Sequence, residues 1–92
     1  MSRIKVTVER IGGCCNLPVL VGDSFFVEES KLTVPEGNHV CIWALSSMMP
    51  IFPALEHRAS LPPDHWMASV ERFQCPDPDG RVIYKLELLE DD

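Results

Sequence analysis

Positive charge is scarce in this chain: eight Lys and Arg stand against fourteen Asp and Glu, for a formal net charge of −6 at pH 7. Proteins that hold nucleic acid neutralise its phosphates with Lys and Arg, so a nucleic-acid partner is not expected. Also missing is an apolar stretch with a cleavage site at the N-terminus, where Met1 to Glu9 reads MSRIKVTVE. Nothing there directs the chain to an oxidising compartment, so a cytoplasmic protein with reduced cysteines is expected. An uninterrupted apolar run of about 20 residues is lacking too, which excludes a membrane helix. The longest candidate is broken by His39, Ser46, Ser47, Pro50 and Pro53. No Gly-x-Ser-x-Gly, phosphate-binding Gly loop, His-Glu-x-x-His or dinucleotide fingerprint occurs, so no catalytic class is legible. Asp23 is the nearest candidate acid, and before Phe25-Phe26 it reads as the cap of a turn.

What is present is one ordinary domain, residues 1–92, with 46% apolar and 24% charged residues. A chain this small buries only roughly 60–65% of its unfolded surface. A staple or a partner is therefore expected.

Strand patterns dominate. Ile4, Val6 and Val8 alternate with Arg3, Lys5, Thr7 and Glu9, as in a strand with one wet face, and Gly12-Gly13 ends it. Ser24 to Glu28 is a second short strand, with Leu32 to Val34 as an extension before Pro35. Residues 68–74 and 81–88 flank Pro76-Asp77-Pro78-Asp79-Gly80, a β-hairpin. The Asp77-x-Asp79-Gly80 run echoes a calcium loop, but the downstream Glu is missing and a turn is the better reading.

Between Gly37 and Leu55 there is no charged residue at all. The pattern predicts a helix with Asn38 as N-cap running to about Met48, then a short helical restart with Pro50 at its first position. The expected fold is α+β: a small, mostly antiparallel sheet of three to five strands, with its C-terminal hairpin, packed on one main apolar helix. Such a sheet covers only one side of the helix, which leaves part of Ile42, Trp43, Leu45, Met48, Met49 and Phe52 in water. A homo-oligomer joined through this helix resolves that; the other solution is the Pro-rich loop 58–66 folding over it with Trp66 as lid.

The cysteines fall at element ends: Cys14 and Cys15 after the first strand, Cys41 in the first helical turn, Cys75 at the end of a hairpin strand. If those ends meet, Cys15, Cys41 and Cys75, with Cys14 and His39 as further candidates and His65 in reserve, form a thiolate site for zinc or an iron-sulfur cluster. The helix dipole at Cys41 favours a thiolate, so a reactive or redox-sensing Cys41 or Cys15 is a second reading. Against both stands the absence of any Cys-x-x-Cys pair. Free cysteine is among the most buried residue types, so packing alone also accounts for the set. The alternative function is then a non-catalytic scaffold or protein-interaction module. His39, His57 and His65 read individually as solvated or capping residues.

Taken in order, a loop Cys before Val21-Gly22-Asp23-x-Phe25, Gly37-x-x-x-Cys41 opening an apolar helix that ends at Pro50, and Cys75-Pro76-Asp77-Pro78 in the terminal hairpin span nearly the whole chain. In these the sequence resembles a family of small prokaryotic proteins, of about 90 residues, that have no established activity. The resemblance implies recurrent cysteines at Cys15, Cys41 and Cys75. Pro18-Val19, Ile42 and Ser46 depart from the family pattern of Gly-His, Pro and His, leaving thiolates as the only chemistry the resemblance carries over.

Overall fold

A computed structural model describes residues 2–13, 20–28, 31–57, 61–65, 70–76 and 80–90. Among these the element order is β1 (Ser2–Ile11), β2 (Ser24–Glu28), β3 (Lys31–Thr33), α1 (Ile42–Met48), a 3-10 turn (Met49–Ile51), α2 (Phe52–Glu56), β4 (Arg72–Gln74) and β5 (Val82–Glu90). The strands form one antiparallel sheet in the order β3-β2-β1-β5-β4. The α+β fold with a C-terminal hairpin is therefore as expected.

The long strands β1 and β5 lie side by side at the centre, and their alternation sets the layers. Register pairs Ile4 with Leu88, Val6 with Leu86 and Val8 with Tyr84, while β2 adds Val27 opposite Ile4 and Phe25 opposite Val6. All of these point to one face, because side chains in a strand alternate with period two. A register shift between Val8 and Arg10 makes Glu9 a bulge and returns Ile11, opposite Val82, to the same face.

The helical segment lies on that face. Ala44, Met48, Phe52 and Leu55, spaced by four, four and three residues, form its inward stripe and are buried with Ile4, Val6, Val8, Phe25, Val27, Val82, Tyr84 and Leu86. Pro50 falls inside the 3-10 turn that breaks the segment, as its missing N–H and ring demand.

Asn38 is not the N-cap. The cap position is Cys41, with extended backbone (φ −75°, ψ 118°) and no side-chain hydrogen bond to the helix. Asn38 Oδ1 instead accepts the Ser24 N–H at 2.7 Å, tying the turn before the helix to the start of β2. The strand expected over 68–74 is hydrogen-bonded as β4 only from Arg72, although the Glu71 carbonyl still accepts the Leu86 N–H at 2.7 Å. Residues 68 and 69, like Trp66, lie outside the described residues.

Candidate functional site

The apolar block divides into two faces. Of the six residues of which part was expected in water, Met48 and Phe52 are shut into the core at 0% and 5% exposure. Ile42 at 73%, Trp43 at 56% and Met49 at 56% are exposed, and Leu45 is half-buried. Ser47 turns its hydroxyl back onto the Trp43 carbonyl at 3.1 Å, so this polar group is satisfied within the helix.

Beside the exposed residues runs an open groove of about 270 Å³, lined by Val27, Lys31, Leu32, Leu45, Met49, Phe52 and Pro53. One wall is the helical segment and the other is the β2–β3 edge of the sheet. Leu32, opposite Val27 in register, stands toward the helix side yet is 44% exposed, since among the described residues no further strand lies beyond β3. Ile42 precedes Leu45 and Met49 by three and seven residues and so extends the helical wall along one side. Lys31 is the single charged residue in the lining. Sequence reasoning found the helical wall from its missing charge but not Val27, Leu32 or Pro53. Leu32 looked like any strand residue, and only the strand order makes it a wall.

The thiols are differently placed. Cys75 belongs to the core at 4% exposure, and its N–H donates to the Val82 carbonyl at 2.8 Å. Cys41 is half-buried at the helix start, packs against the core cluster, and accepts the Leu45 N–H on its carbonyl at 2.9 Å. Cys14 and Cys15 lie outside the described residues, as do Asp77 and Asp79. Among the described residues no three His, Cys, Asp or Glu side chains gather as a metal site. His39 is exposed, His57 is exposed at the C-cap of α2, and His65 is half-buried in a turn with its N–H on the Pro62 carbonyl at 2.9 Å. Asp23 caps its turn as expected: its carboxylate accepts the Leu20 N–H at 3.0 Å.

On the opposite side of the sheet Arg72 donates to Glu9 at 3.1 Å and lies 3.5 Å from Glu71. The hydrogen bond and charge of Glu9 raise the Arg72 pKa above its ordinary value, so Arg72 is a fixed cation throughout the neutral range. Among the described residues no helix is long and apolar enough to cross a membrane. Compared with family models, curated proteins and solved structures, the chain matches none.

Proposed function

We propose that the protein is a non-catalytic interaction module that works as a homo-oligomer, joined through the outward face of its helical segment. The observation that carries this is the exposure of Ile42 and Met49 on the groove side of the helical segment and of Trp43 on its outer surface.

Magnitudes support it. At roughly 200 Å² for a fully exposed large apolar side chain, Ile42, Trp43, Met49 and Leu32 present on the order of 500 Å². That is at the upper end of what the largest apolar patch of a monomer reaches, about 300–600 Å². It is also more than half of the about 800 Å² that each partner contributes to a standard interface.

Charge selects the occupant. Each copy carries a net charge of −6, and this face, with Lys31 as its one charged lining residue, is where two copies approach with least repulsion. Shape fits as well. Ile42 stands on the groove side of the helix with Leu45 and Met49, and Trp43, about 100° further round, carries the apolar surface past it; a two-fold rotation lets such a surface meet its own copy, as a closed isologous contact requires.

Size-exclusion chromatography with light scattering tests the surface. Trp43→Glu and Met49→Glu are expected to lower the particle mass to that of one chain while the far-ultraviolet circular dichroism stays unchanged, and Lys85→Ala on the far side of the sheet leaves the mass alone. Unchanged mass in both face variants contradicts the proposal. A thiolate site on Cys15, Cys41 and Cys75, taking zinc or an iron-sulfur cluster, is the second reading; the half-exposed position of Cys41 supports it and the core burial of Cys75 weighs against it.

A further inference from the structure

The face of the sheet turned away from the helices gathers the scarce positive charge. By register and alternation Arg3, Lys5, Arg10, Arg72 and Lys85 stand on it, and Lys31, opposite Glu28 at the sheet edge, holds the same register position while also bordering the groove, which makes six of the seven Lys and Arg among the described residues. Glu9, Glu28 and Glu87 are carboxylates on the same face, and the Glu71 carboxylate reaches it at the β4 edge, so that Arg72 is flanked by Glu9 at 3.1 Å and Glu71 at 3.5 Å. A chain of net charge −6 thus carries a locally cationic surface.

One row across the sheet reads Ser24, Thr7, Lys85, Arg72, which places two cations directly opposite each other on β4 and β5. Directly opposed like charges in a sheet destabilise it. The neighbouring row reads Thr33, Phe26, Lys5, Glu87, and Arg3 lies over the Phe26 ring at 5.1 Å from its centroid. Half-buried Phe26, Ile83 and Leu89 sit between the charged side chains. The face is therefore basic and partly apolar at once.

We infer that this open sheet face binds an acidic polypeptide segment, its carboxylates taken by Lys85, Arg72, Lys5 and Arg10 and its apolar side chains by Ile83 and Leu89. At physiological ionic strength charges beyond about 8 Å are screened, so an approaching segment meets the local excess and not the net charge of the whole chain. Nucleic acid fits less well. Glu9, Glu28 and Glu87 interrupt the basic residues where a phosphate backbone would run, and the Phe26 ring, the aromatic of this face, is already covered by Arg3 and offers no free platform for a base. Apart from Lys31 at their common edge, this surface is separate from the groove and does not depend on the self-association proposed above.

Fluorescence anisotropy on the full chain tests it, with a fluorescein-labelled dodecapeptide of four Glu-Glu-Val repeats and, in parallel, a labelled twelve-nucleotide oligothymidylate, both at 0.15 M salt. Saturable binding of the peptide is expected, about tenfold or more tighter than that of the oligonucleotide, and weakened several-fold by 0.5 M salt. Lys85→Glu, a change at an exposed position, is expected to weaken peptide binding about tenfold, and Arg72→Gln to weaken it in the same direction. Trp43→Glu leaves peptide binding intact, which keeps this result distinct from any failure of the self-association proposal. The inference is overturned by the absence of saturable peptide binding, by oligonucleotide binding as tight or tighter, or by indifference to Lys85→Glu. It is also overturned if Lys85→Glu dissociates the homo-oligomer, since the occupant of this face is then a second copy.

Discussion

Thr7 carries an unexplained cost. Its Oγ1 is shut from solvent and meets no hydrogen-bond partner among the described residues. An orphaned buried hydroxyl costs about 1–3 kcal/mol, so Thr7→Val, which keeps the β-branched shape, is expected to stabilise the fold by about 1 kcal/mol in urea unfolding. Gly22 tells the opposite story. Its φ is 99°, its N–H donates to the Val8 carbonyl at 2.9 Å, and nothing lies within 4 Å of where a Cβ would stand. Gly22→Ala is therefore expected to cost roughly 1–2 kcal/mol through backbone strain alone, with no clash to relieve. Among the thiols, exposure predicts reactivity. In a Cys14→Ser/Cys15→Ser background one thiol, Cys41, is expected to react promptly with a thiol reagent under native conditions, while Cys75 reacts only on unfolding. Prompt reaction of both contradicts the burial of Cys75.

At the scale of elements, stability rests on the inward stripe of the helical segment. Met48 is fully buried, and Met48→Ala is expected to cost about 2–5 kcal/mol, a large share of what a domain of this size possesses. The elements themselves were largely legible. Alternation in Ile4-Val6-Val8 and in Val82-Tyr84-Leu86 marks strands whose apolar sides meet, because period two is a direct consequence of the pleat. Pro50 marks the break in the helix for an equally local reason. The start of the helix was not legible. Asn38 is as able to accept a hydrogen bond from a distant N–H as from its own helix, and its actual partner, the Ser24 N–H, lies fourteen residues away. The same limit applies to the sites. The missing charge in residues 37–55 announced the helical wall, whereas the groove needs β3 at the sheet edge and the cationic face needs the β4–β5 register, neither of which any local pattern encodes.

At the scale of the whole molecule, the two-layer fold leaves two unlike surfaces. One is apolar, made by α1, the 3-10 turn and the β3 edge, with Lys31 as its single charged lining residue; the other is the sheet face turned away from the helices, which gathers most of the described cations. On the proposal above, this small acidic chain, whose described residues leave one side of the helix exposed, is completed by association with a second copy. Salt is expected to separate the two surfaces: apolar self-association persists at 0.5 M salt, whereas a contact made by Lys85 and Arg72 weakens there. The most direct test of the central claim is the mass of the unmodified protein by sedimentation equilibrium at tens of micromolar. The account predicts an integer multiple of the 10.4 kDa chain mass, falling toward 10.4 kDa only on dilution. A mass of 10.4 kDa at every concentration contradicts it.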